Sequence, residues 1–280
     1  MDSPTGPFLA LGAALSFGIS DFAGGMVSRR RPAIAVVGVS QACSLVVLLA
    51  VTAVIGVPAG YGWLPWAALA GLAGAAALVL FYQALAVGTV GVVSPISALG
   101  AIIPVTLGVL AGERPAPVTV AGIVVALVGA VLASGPELRG EPHVKGRAVL
   151  YAAGAAVGFG LAMYALARGS AHSVAATLVG MRLTSVTGFA LAALATRSIG
   201  GIRSRDLPVL AFLGLADVGA NLLLGVATTM ALLSVSTVLA ALYPVVTVAL
   251  AAVLLHERMR AVQVVGCLAA LAGVALIAAR

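Results

Sequence analysis

Residues 109–134 read VLAGERPAPVTVAGIVVALVGAVLAS, and residues 253–278 read VLLHERMRAVQVVGCLAALAGVALIA. Slid onto each other by 144 residues, they share Val109-Leu110, Glu113-Arg114, Val118, Val120, Gly122, Ala126-Leu127, Gly129 and Leu132, 11 identities in 26 positions. A composition this biased gives roughly three by chance, so the chain carries an internal repeat. At an offset of 142, Gly12-Ala13-Ala14-x-x-Phe17-Gly18 falls on Gly154-Ala155-Ala156-x-x-Phe159-Gly160 and extends the repeat toward the N-terminus.

The repeated material is apolar. The 280-residue chain is 62% hydrophobic and 8% charged, against about 45–50% and about 25% in soluble globular proteins. So few charges cannot coat a water-soluble surface. Two cysteines, Cys43 and Cys267, exclude a disulfide scaffold. An integral membrane protein remains. A net charge of +7 would suggest nucleic acid in a soluble protein. Here it reads as arginines at membrane edges facing anionic lipid, and no nucleic-acid partner is expected.

Ten apolar segments follow one another at about 8–27, 34–57, 64–87, 91–111, 117–135, 147–167, 173–196, 207–231, 235–255 and 262–279. A spanning helix needs about 20 such residues. Strands would show alternation with polar lumen positions, so all ten read as helices. Polar residues fill the breaks: Arg29-Arg30-Arg31-Pro32, Glu113-Arg114-Pro115, Arg203-Ser204-Arg205-Asp206 and Glu257-Arg258. Met1 to Pro7 lacks the positive start of a signal peptide. The repeat divides the chain into residues 1–135, a connecting loop at 136–146 and residues 147–280. Five helices per unit is an odd number, so the second unit is inverted relative to the first. Inverted repeats with a binding site between them are the architecture of many secondary transporters.

Leu85 to Ser134 resembles the drug/metabolite transporter superfamily, and its EamA repeat in particular. A helix ends in Gly112-Glu113-Arg114, a short polar turn follows, and the next helix carries Gly122 and Gly129. The second copy reads Tyr243-Pro244, His256-Glu257-Arg258, Gly266 and Gly273. It keeps the family's proline thirteen residues before the glutamate, as Pro244, where the first copy has Gly100 and moves prolines to Pro95 and Pro104. The resemblance implies a ten-helix carrier for small metabolites, amino acids or drugs, usually an exporter. Arg182 stands where the family often has an arginine in the second helix of a repeat, with Gln41 at that place in the first repeat.

Three charges lie inside apolar segments: Asp21, Arg182 and Asp217. Such charges are costly in a bilayer and mark pathways or pairs. Counted from the side of the N-terminus, Asp21 lies roughly 20 Å deep, Arg182 roughly 14 Å and Asp217 roughly 21 Å. This points to one polar centre, either a structural Arg–Asp pair or a site that handles substrate or protons. In the eighth segment Gly214, Asp217, Asn221, Gly225 and Thr228 share one helical face, which reads as a cavity wall. The first segment shows a weaker stripe of Ala13, Phe17, Asp21 and Gly24, with Ser20 beside it. Tyr82, Gln83 and Tyr164 join the candidate list.

The candidate substrate-binding set is therefore Asp217, Asn221, Arg182, Thr228, Phe17, Tyr82, Gln83 and Tyr164. Asp21, with no obvious cationic neighbour, is the proton-coupling candidate, and Asp217 the partner of Arg182. Pro95, Pro104 and Pro244 are expected to kink their helices. Glu113-Arg114 and Glu257-Arg258 read as local pairs at the membrane surface. His172 and His256 read as interfacial.

No metal cluster, nucleotide loop or nucleophile–base constellation appears, so no cofactor, metal or enzymatic activity is expected. The reading is a multi-pass secondary transporter of the plasma (inner) membrane. Its partners are a small-molecule substrate, the lipid bilayer and protons as candidate coupling ions, and a homodimer is compatible with it. An intramembrane lipid-modifying enzyme and a passive channel are the alternatives. Arg114, Arg168 and Arg280 fall on the side of the termini. Arg29, Arg30, Arg31, Arg139, Lys145, Arg147, Arg197, Arg203, Arg205, Arg258 and Arg260 fall on the other. Eleven against three favours termini outside.

Overall fold

The computed structural model describes residues 5–56, 60–88, 90–133, 146–198, 200–254 and 260–278. Among the described residues every regular element is a helix. The first repeat contains α1 (Thr5–Ser28), α2 (Ala33–Ile55), α3 (Leu64–Val87), α4 (Val90–Ala98), α5 (Ile102–Leu110) and α6 (Pro117–Ala133). The second contains α7 (Gly146–Ser170), α8 (Val174–Thr196), α9 (Leu207–Met230), α10 (Leu233–Ala240), α11 (Tyr243–Leu254) and α12 (Ala261–Ala278). His256, Glu257, Arg258, Arg139, Lys145, Arg280 and residues 136–145 of the connecting loop lie outside the described residues. Among the described residues, seven helical stretches are long and apolar enough to cross a membrane. Three shorter apolar ones, Pro117–Ala133, Leu233–Thr247 and Ala261–Ile277, occupy the remaining apolar segments.

The fourth and ninth segments were each expected as one kinked helix, and in each the regular α-helix is interrupted near its middle. A 3-10 turn at Leu99–Ala101 separates α4 from α5, and Ala241-Leu242 separates α10 from α11. Pro104 and Pro244 explain this. They sit third in α5 and second in α11, in the first turn, where a missing N–H does little harm. The prolines therefore sit just past each break, in the first turn of the following half. Pro95 differs, since it lies within α4.

The two repeats do not form separate bundles. α1 packs on α9, and correspondingly α7 packs on α3. The second helices follow suit, α2 on α9 and α8 on α3, while α6 and α12 pack on each other. Lipid offers no hydrophobic drive for association, so close backbone approach must supply the attraction. A methyl group at Gly129 would stand 2.3 Å from the Ala270 nitrogen, and one at Gly266 only 2.0 Å from that of Ala133. Gly122 and Gly273 meet the facing helix in the same way. The repeated glycines of the sequence are thus the crossing of α6 and α12. Gly71 against the Met181 carbonyl and Gly214 against that of Ser40 do the same for α3–α8 and α9–α2. The outward surface is apolar, with Val54, Leu110, Leu150, Leu194 and Val253 exposed. At one edge Arg31, after α1, bonds Asp206, before α9, at 2.8 Å.

Glu113 departs from the expected local pair with Arg114. α5 ends in a Schellman turn: Gly112 takes φ +103, and the Glu113 N–H donates to the Gly108 carbonyl at 3.0 Å. This turn aims the Glu113 carboxylate at the second repeat. It accepts the backbone N–H of Leu233 at 2.6 Å and of Ser234 at 3.1 Å, capping α10. Two unsatisfied helix-end donors outbid a neighbouring exposed arginine.

Gly129→Val and Gly266→Val should each lose most of the monodisperse protein on size-exclusion chromatography, since backbone atoms cannot yield to the added volume. Gly188→Ala, where nothing lies within 4 Å, should leave the profile unchanged. Wild-type profiles for both valine variants would mean that α6 and α12 do not cross at these glycines.

Candidate functional site

A partly enclosed cleft lies between the repeats, walled by side chains from both. Phe17 and Asp21 come from α1, Gln41 from α2, Gly74 and Leu78 from α3, and Phe159, Ala162 and Met163 from α7. Met181 and Arg182 come from α8, Asp217 and Asn221 from α9, and Tyr243 from the start of α11.

The polar centre is built on α8 and α9. Arg182 Nη2 donates to Asp217 Oδ2. Asn221, one turn further along α9, donates from Nδ2 to the Asp217 carbonyl at 2.8 Å and to Oδ1 at 3.3 Å. Both carboxylate oxygens are thus engaged, and the aspartate is held toward the arginine. The Arg182 side chain is 1% exposed and that of Asp217 15%. The pair is therefore largely shielded, with its remaining open edge on the cavity. Arg182 Nε, Gln41 Oε1 and the Tyr243 hydroxyl are buried with no hydrogen-bond partner among the described residues.

Asp21 is different. It is buried at 7% exposure on the cavity wall. Among the described residues no cation forms an ion pair with it. Around it, α1 is bound to α9 by side-chain hydroxyls. Ser16 Oγ donates to the Ala216 carbonyl at 2.7 Å, and Ser20 Oγ to that of Leu213 at 3.3 Å. The carboxyl group is thus fixed on a tightly joined pair of helices from opposite repeats.

The cavity is symmetric in position and asymmetric in chemistry. Gln41 and Arg182 are each the ninth residue of their helix, Gly74 and Asp217 the eleventh, Leu78 and Asn221 the fifteenth. Phe17 and Phe159 are matched by the repeated motif, and four residues on stand Asp21 and Met163. All five pairs line the cavity. In each polar pair one mate is polar and the other smaller, apolar or neutral.

Of the sequence candidates, the structure brings together Phe17, Asp21, Arg182, Asp217 and Asn221. Thr228, Tyr82, Gln83 and Tyr164 do not line this cavity. The α9 stripe explains Thr228. Gly214 packs on α2, and Gly225 faces Ser170 and Val174 near the α7–α8 turn, so only the middle of the stripe meets open space. Thr228 Oγ1 returns to the Gly225 carbonyl at 2.9 Å. Tyr82 fills the groove over Gly24, its hydroxyl 3.5 Å from the Ser20 carbonyl. The Tyr164 ring packs edge-on to Trp66 with centroids 6.0 Å apart. Phe159, Met163, Gly74 and Leu78 escaped the sequence reading. The signal that finds them is the repeat register, applied to each polar candidate in turn. Among the described residues no cluster of His, Cys, Asp or Glu could hold a metal ion.

The EamA-like transporter family matches residues 4–135 and again 146–279. A crystal structure of a protein with 20% sequence identity has a similar fold, with TM-score 0.75 over 97% of this chain and 95% of the other. At that identity the likeness concerns the fold alone. No curated protein matches the chain.

The ion pair yields a test. Arg182→Gln or Asp217→Asn alone strands one charge in a bilayer-depth site, at a cost of at least about 2.5–3.5 kcal/mol. Each should lower the Tm of the purified protein more than the double variant does, as a double-mutant cycle would reveal. Simple additivity of the two losses would show that the side chains act independently.

Proposed function

Since the chain belongs to the EamA-like transporter family, and is thus a multi-pass membrane transporter of the drug/metabolite type, we propose that it is a secondary carrier working by alternating access. In this reading ten helices or half-helix pairs span the plasma (inner) membrane as two inverted units. A small metabolite, amino acid or drug binds between them and is exported. The observation that carries the reading is the cavity itself. Its walls are drawn from repeat mates on the first three helices of both units, so a rocking of one unit against the other opens it on alternate faces.

Within the cavity Phe17, Phe159, Met163 and Met181 give an apolar body its surface. Asn221 and the Arg182–Asp217 pair orient a polar group. Asp21 is the proton carrier: a carboxyl group without a fixed cation can exchange a proton for substrate as access alternates. The arginine distribution supports termini on the outer face.

A panel of metabolites, amino acids and drugs screened by thermal shift identifies a ligand. Counterflow of that ligand in proteoliposomes then tests the reading. Carrier action predicts saturable exchange. Unsaturable flux, or chemical conversion of lipid in place of flux, would sink it.

For the same ligand, Asp21→Asn should abolish accumulation driven by a pH gradient while leaving exchange intact, and Asp217→Asn should abolish binding. Full gradient-driven transport by Asp21→Asn, with its pH profile unchanged, would refute the proton role.

A further inference from the structure

The contact between Glu113 and α10 joins the two repeats at a place far from the cavity in sequence. α10 is eight residues long and interrupted at both ends, after Met230 and at Ala241-Leu242. A short turn, with the Ala241 N–H on the Thr237 carbonyl at 2.9 Å and the Leu242 N–H on that of Leu239 at 3.2 Å, carries it directly into α11, so the two half-helices shift together. Its own N-cap residue, Leu232, offers no side-chain acceptor. Among the described residues, the acceptor outside the helix for its first N–H groups is the Glu113 carboxylate of the other repeat. Just beyond that turn Tyr243, the first residue of α11, lines the cavity wall. One short rigid piece thus runs from the Glu113 turn to the substrate cavity, packed on the way against α1, the helix of Asp21.

The seat for the carboxylate is built as well as occupied. A methyl group at Gly108 would stand 2.8 Å from Glu113 Oε2. Gly112 provides the left-handed turn that presents the side chain. Buried neighbours surround α10, with Ser234 to Ala240 all buried.

We propose that Glu113 is a latch on the half-helix α10, closed in this structure and opened in the transport cycle, which ties access on the Glu113 face to the position of Tyr243 in the cavity. The proposal rests on the alternating-access reading above. In that reading Glu113 is a positioning residue that touches no substrate.

The test needs no substrate. In the full chain with Cys43→Ser and Cys267→Ser, Ala162→Cys supplies one thiol in the cavity wall. A membrane-impermeant maleimide is applied from either face of sealed proteoliposomes. An exposed Ala116→Cys, made separately, identifies the face that bears the Glu113 turn. Glu113→Ala, and Gly108→Ala, which displaces the carboxylate without removing it, should shift the two-face labelling ratio toward that face. The shift expected is about fivefold, the effect of losing a helix cap. Glu113→Gln, which retains an acceptor, should fall between. A ratio unchanged in Glu113→Ala and Gly108→Ala, whatever the change in Tm, would make Glu113 a purely structural cap and overturn the latch alone. Labelling from one face only, in the parent and all variants alike, would overturn the carrier reading together with the latch.

Discussion

Neither half of this protein closes on itself. The first helix of each repeat finds its main partner in the third helix of the other, α1 on α9 and α7 on α3. These crossings depend on backbone approach at small residues, because a bilayer supplies no solvent pressure toward burial. The cavity, the ion pair and the Asp21 site all follow from them. The cavity and the Asp21 site lie where helices from opposite repeats face each other, and the ion pair between α8 and α9 opens onto that cavity. The α6–α12 pair does the reverse. It has glycines at corresponding places on both sides and leaves no space.

That division of labour governed how much could be read in advance. The repeat, the helical class and the family resemblance were visible because Gly122, Gly129, Gly266 and Gly273 recur at one spacing. The charges Asp21, Arg182 and Asp217 stood out because apolar helices contain so few. Their company did not. Met163, Leu78 and Gly74 look like any other apolar position, and helical periodicity cannot say which neighbour faces a given stripe. Thr228 shares a face with Asp217, yet its end of the stripe packs near the α7–α8 turn and not on the cavity. Glu113 was legible as a polar residue at a helix end, but its partner is 120 residues away and is a backbone, which no sequence pattern records.

The polar centre shows how one scaffold carries unequal chemistry. The second repeat supplies the cation and its counter-charge on α8 and α9, while the first supplies a lone carboxyl group on α1. Moving Asp21 to its mate at Met163 would leave the geometry alike but put all three charges in one half. As it stands, a relative motion of the halves changes the distance between the unpaired carboxyl group and the paired centre. Electrostatic coupling between the two is therefore sensitive to the state of the cavity, in a medium where screening is weak.

The exchanged packing also sets an order on biogenesis. Synthesis runs from the N-terminus, so α1 enters the bilayer well before α9, α10 and α11 exist. During that interval its face of small residues, with Asp21 among them, has only α2 and α3 for shelter. The first five segments are thus a waiting half-structure, whose inner surface is completed from outside its own sequence. Assembly ends late and as a joint event. Only once α11 and α12 are made do the seams on α1 and α6 close, which joins the two incomplete halves.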